Sequence, residues 1–232
     1  ISFESDPIKN PNLILINGAI PGIDASTVAN NESSYWRALD LTLNNSAIST
    51  KQVQIVWLKE FSISNKDFPY DAKDLTDLLK TIVQILKEKY PNLHIIYVSS
   101  RSYGGYSDIG ASEPSSYNSG FSVKWLIEDQ INGDLSLNYD ISKGIVKAPL
   151  IRWGPYLWAD GVNNREDNHL SWQCSDFSDD GLHPSISGQM KVAEIFQNFL
   201  QTESTAKIWY VADEFQNEII MPLVFPFPFP TR

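Results

Sequence analysis

Cysteine is all but missing from this chain, where Cys174 stands alone. A single thiol excludes an intrachain disulfide and any cysteine-based metal cage, and it reads as a small inert hydrophobe. Basic charge is scarce too: 18 Lys and Arg face 28 Asp and Glu, for a formal net charge of -10 and a pI near 4.7. No run of Lys or Arg offsets that charge locally, so phosphate backbones and anionic lipid surfaces are repelled and nucleic acid is excluded as a partner. No apolar run reaches the ~18–20 residues that span a bilayer. The opening "ISFESDPIKN" lacks the charged-then-apolar pattern of a signal peptide.

What is present suits one α/β domain over residues 1–232, since 42% hydrophobic residues are ample for a core of that size. Three β-branched apolar runs bounded by turn formers predict buried strands: "NLILING" (12–18), "VQIVWLK" (53–59) and "LHIIYVSS" (93–100). Between the last two, Leu75, Leu78, Leu79, Ile82 and Leu86 recur at helical spacing, with Asp71 placed to cap the start and Pro91 to stop it. Shorter helices are predicted around Trp36, Leu39 and Leu43, and around Phe121, Trp125 and Glu128. A final helix carries Ile186, Met190, Ala193, Phe196 and Leu200, with Pro184 at its first position. Strands alternating with helices imply a parallel sheet with helices on both faces. The tail over 212–232, ending "FPFPFPTR", alternates Phe with Pro and predicts an extended segment rather than a central strand or helix.

In such a sheet the loops beyond the carboxyl ends of the strands carry chemistry. Asp180 precedes His183 by three positions at the entrance of the last helix. That spacing suits a carboxylate orienting an imidazole through Nδ1–H, and it equally suits two polar residues capping a helix. "NGAIPG" follows the first predicted strand and can aim backbone N–H groups at a developing oxyanion. Asp176, Asp179, Asp180 and His183 crowd together in sequence, but without calcium-loop spacing, and no metal is assigned. Ser99, Ser100 and Ser102 have no nucleophile-elbow pattern and read as hydrogen-bonding loop residues. Arg101 and Asp108 can bind a polar substrate or pair at the surface, and Asn31 and Asn44 match the glycosylation sequon.

Taken together these residues resemble the SGNH, or GDSL-type, hydrolases. The likeness runs from about residue 3 to about residue 210, and "VWLK", "YPNLHIIYVSSRSYGGY" and "WGPYLWADG" point to an uncharacterised branch. The resemblance implies a three-layer α/β/α flavodoxin-like fold with a mostly parallel sheet and an ester hydrolase that needs no cofactor. It implies His183 as general base then acid, Asp180 as its orienter, and the Gly22 N–H as an oxyanion donor.

Two departures stand out. The family's nucleophilic serine closes a strand in a Gly-x-Ser context one helix before the glycine motif. Here residues 1–11 look like the tail of that intervening helix, so the serine is expected upstream of Ile1. The family's third motif offers an asparagine amide, whereas this chain has "WLKEFS". Glu60 there is either solvated or an altered oxyanion-site residue, and Lys59 can supply a cation. Tyr103, Tyr106, Trp153, Tyr156 and Trp158 can form a wall for a sugar, with Asp160, Asn163 and Asn164 binding hydroxyls, or they pack beneath a loop. The substrate expected is a small-molecule or carbohydrate ester. The alternative is a non-catalytic ligand-binding domain that lost its nucleophile.

Overall fold

The structure is a computed structural model that describes residues 3–64, 66–108 and 112–215. It is α/β: α1 (Ala25–Val28), α2 (Ser34–Asn45), β1 (Ile55–Leu58), α3 (Tyr70–Lys89), β2 (Ile95–Val98), α4 (Ser115–Ile131), β3 (Leu150–Trp153), α5 (Ile186–Thr202) and α6 (Ser204–Tyr210). Among the described residues the sheet has three strands in the order β1-β2-β3. Both pairings are parallel, with Leu58 opposite Val98 and Val98 opposite Trp153. The chain divides into two compact units, residues 16–193 and residues 1–15 with 194–232.

The larger unit holds the sheet. Ile96 and Val98 of β2 are fully buried, flanked by Leu58 and Ile151 from the neighbouring strands. A central parallel strand with a neighbour on each edge suits this continuous β-branched run, and α4 packs against β3. α2 contributes Trp36, Leu39 and Leu43 to the core, as their spacing predicts. α3 buries Leu75, Leu79, Ile82, Val83 and Leu86.

The α3–α4 seam is polar, which the periodicity does not foretell. Asp71 lies inside the first turn of α3 and is buried, so it is not the helix cap the sequence suggests. Its carboxylate instead accepts a 2.6 Å hydrogen bond from the Asn118 amide of α4. Ser122 of α4 donates to the Ala72 carbonyl of α3 at 2.8 Å. Ser122 is small enough to permit this approach, Gly120 makes room for the Tyr156 ring instead, and Phe121 and Trp125 form an aromatic group with Phe68.

Four sequence expectations change. Residues 12–18 form no strand: Ile14 is 60% and Leu15 37% exposed, because a strand persists only where a neighbour takes up its backbone hydrogen bonds. β3 is gained instead, on a segment whose Arg152 and Trp153 dilute the apolar run. Pro184 does not open α5; it bridges Phe177, and α5 starts at Ile186 after Ser185 N–H donates to the Asp176 carbonyl at 3.0 Å. Ile186 and Met190 then face outward, because the helix entrance presses Gly188 against the Asp176 backbone.

In the smaller unit, residues 3–11 form only a 3₁₀ turn at Phe3–Ser5 and a bridge from Lys9 to Val211, not a helix tail. Buried Asp6 organises this unit, accepting from Gln197 and Gln201 at 2.8 Å each and from Tyr210 Oη at 2.7 Å. Of the Phe/Pro tail, residues 216–232 lie outside the described residues. Cys174 is exposed in a 3₁₀ turn rather than packed as a hydrophobe.

Candidate active site

The segments that follow β1, β2 and β3 carry several of the predicted residues. Ser178 N–H donates to the His183 carbonyl at 2.7 Å and closes a tight loop over Phe177–Pro184. Gly181 occupies its turn at φ +67°, and its α-carbon lies so close to the Tyr106 carbonyl that a Cβ would overlap it. The loop is thereby pinned to the segment that follows β2.

Within it His183 Nδ1 lies 2.5 Å from Asp180 Oδ2, while Asp180 Oδ1 accepts the N–H groups of Leu182 and His183 at 2.9 Å each. The His183 hydrogen bond first, and those two N–H groups next, hold the Asp180 carboxyl down at about 2. An ionised Asp180 requires Nδ1 to carry the proton, which leaves Nε2 as the basic nitrogen. His183 is 67% exposed, and among the described residues no hydroxyl is hydrogen-bonded to its Nε2. The nearby Asp176 is occupied elsewhere: it is buried, paired with Lys191, and accepts from Ser187 Oγ at 2.7 Å. Among the described residues no group of three acidic, histidine or cysteine side chains converges to hold a metal.

Gly22 sits in an exposed turn at φ +77°. The next turn is tied to the loop after β1 by the Ala25 N–H, which donates to the Phe61 carbonyl at 2.8 Å. Asp24 caps α1 there and also raises the Glu60 pKa. Glu60 is half-buried and pushed up to about 7, burial being the main cause, against which Lys59 pulls down. Lys59 keeps accessible surface, yet crowding by protein atoms and the charge of Arg101 bring it down to about 8. Near neutrality Glu60 is therefore partly protonated and can donate a hydrogen bond, which an ordinary glutamate there cannot do.

The predicted aromatic wall divides in two. Tyr103 and Tyr106 pack edge to face at 5.1 Å beside the His183 loop, and the Tyr106 hydroxyl donates to the Trp172 carbonyl at 2.8 Å. Trp153, Tyr156 and Trp158 lie along α4. Trp153 is 37% exposed, Tyr156 is half-buried with Arg165 stacked on it at 4.9 Å, and the Trp158 indole donates to Glu113 at 2.9 Å. Asp160 accepts from the Asn163 amide at 2.9 Å. Ser99 and Ser100 are buried and accept from the Trp57 indole and the Leu157 N–H at 2.8 and 3.0 Å.

Ser107 escapes the sequence reading, whereas Arg101 is among the residues it names. Ser107, buried in a Gly-Tyr-Ser string, has its backbone N against Gly181. Arg101 is buried rather than paired at the surface. The Leu58–Val98 register, extended by three residues, sets 101 opposite 61. Comparison with protein-family models, with curated proteins and with solved structures finds no match for this chain.

Proposed function

We propose that this chain carries the acid–base half of a serine ester hydrolase of the SGNH/GDSL type, on a flavodoxin-like α/β/α scaffold. One observation carries the reading: the 2.5 Å contact between His183 and Asp180, with the imidazole exposed, in a loop packed on the segment that follows β2. In the reaction a serine hydroxyl gives its proton to His183 Nε2 as its oxygen attacks the ester carbonyl. His183 then returns that proton to the departing alcohol, and Asp180 holds the imidazolium in place. The Gly22 N–H and protonated Glu60 are the donors for the oxyanion. The nucleophile is a serine outside the 232 residues, delivered beside residues 13–18, which form no strand ladder among the described residues. The paired Tyr103 and Tyr106 rings beside the His183 loop support an O-acylated sugar as the substrate class.

A second reading, a ligand-binding domain without hydrolysis, is favoured by Glu60 standing where the family offers an amide. The test is turnover of short acyl esters by this chain and by an N-terminally extended version, each with and without His183→Ala. The proposal expects activity only in the extended version, falling at least 100-fold in His183→Ala. Activity in the short chain that disappears in Ser107→Ala moves the nucleophile to Ser107. An extended version silent on all esters leaves the binding reading.

A further inference from the structure

Arg101 follows β2 by three residues. The parallel register continues beyond the strands, since Ser99 N–H donates to the Leu58 carbonyl at 2.9 Å, and this sets Arg101 over Phe61 of the loop after β1. Its guanidinium lies 4.6 Å from the Phe61 ring centre. Its backbone N–H is anchored on Ser119 Oγ at 2.9 Å. The residue is only 9% exposed. Yet among the described residues no acceptor reaches the guanidinium, and Nε is wholly enclosed without a partner.

Glu113 is the carboxylate whose charge reaches Arg101, and it is already committed. Its Oε1 accepts from the Gly104 N–H and the Trp158 indole at 2.9 Å each, and its Oε2 from the Tyr117 N–H at 3.0 Å. A buried cation with no counter-ion is a costly arrangement to keep in an unliganded fold. On the adjacent strand end, one residue past β1, Lys59 is near enough to feel the charges of Arg101 and Glu60, and it forms no ion pair among the described residues. Two cations that form no ion pair among the described residues thus share the edge at which open parallel sheets bind ligands.

We propose that Arg101 and Lys59 form a binding site for a small oxyanion, a carboxylate or phosphoryl group carried by the ligand of this protein. Phe61 holds the guanidinium plane so that its terminal N–H groups meet two oxygens of the anion, and Lys59 adds a compact point charge. The site serves a binding domain as well as an esterase and does not rest on the hydrolase reading.

The test is an NMR titration of the 232-residue chain with sodium acetate and with sodium phosphate, against sodium chloride at matched ionic strength. Saturable shifts are expected at residues 59–61 and 99–104, with dissociation constants on the order of millimolar. Acetate alone saturating identifies a carboxylate ligand, and phosphate alone a phosphoryl ligand. Arg101→Met should weaken binding at least tenfold and Lys59→Met several-fold. Arg101→Met without anion should melt no lower than the parent, because it removes an unpaired buried charge. Should Arg101→Met not fold, Arg101→Lys decides, keeping the charge while losing the two-pronged geometry. Acetate and phosphate responses that merely track chloride overturn the proposal, as does a folded Arg101 variant that binds like the parent. His183→Ala should leave the titration unchanged, which separates this site from the proposed catalysis.

Discussion

Replacing Glu60 by Gln tests the electrostatics of the sheet edge directly. In the fold this carboxyl is pushed up to about 7 from an ordinary 4.5, chiefly by burial, with Asp24 adding to the rise and Lys59 opposing it. A raised acid favours the folded state while both states keep the proton. Its contribution is therefore complete below the unfolded value of 4.5 and is lost as pH climbs through about 7. At 1.36 kcal/mol per pH unit the loss has a ceiling of about 3 kcal/mol. Because Glu60 is only half-buried, solvent screening brings the expected loss to about 1–2 kcal/mol. Glutamine cannot ionise, so the stability of Glu60→Gln relative to the parent should rise between pH 4.5 and 7 and then level off. The neighbouring Asp24, held below its usual range, stays ionised over this span, and Lys59 begins to titrate only at its upper end. Urea unfolding at pH 4.5, 5.5, 6.5 and 7.5 reads the difference, and a carbon-detected NMR titration of the Glu60 carboxyl reads the group itself. Parallel pH profiles for the two proteins, or a carboxyl titrating near 4.5, would refute the reasoning.

Gly181→Ala places a Cβ on the Tyr106 carbonyl at a left-handed φ of +67°. It should cost roughly 1–3 kcal/mol, shift the loop, and abolish the downfield His183 Nδ1–H resonance in a proton spectrum. Asp6→Ala removes the shared acceptor of Gln197, Gln201 and Tyr210. It should destabilise by about 1–3 kcal/mol in urea. Burial raises the Asp6 pKa, but those hydrogen bonds more than offset it and hold the group below 3.8. The stabilisation it brings is thus present at neutral pH and lost as pH falls below that value, so parent and Asp6→Ala should converge in acid.

The local pieces of this protein are legible in the sequence. Apolar spacing places α2 and α3 because an amphipathic helix needs only its own periodicity and one face to bury. The β-branched runs place β1 and β2 within the predicted 53–59 and 93–100. The Asp180–His183 contact is an i, i+3 relation inside one tight loop, so a four-residue string suffices to foresee it. Wherever a residue's state depends on a distant partner, the tertiary structure decided. Residues 12–18 have strand composition but no ladder, because pairing is a property of two segments. Asp71 left its capping role because Asn118, 47 residues away, offered a buried donor. Arg101 reads in sequence as a loop cation that binds a polar substrate or pairs at the surface. Only the parallel register of β1 and β2, which slides Phe61 beneath its guanidinium and leaves its Nε enclosed without a partner among the described residues, turns it into a buried charge.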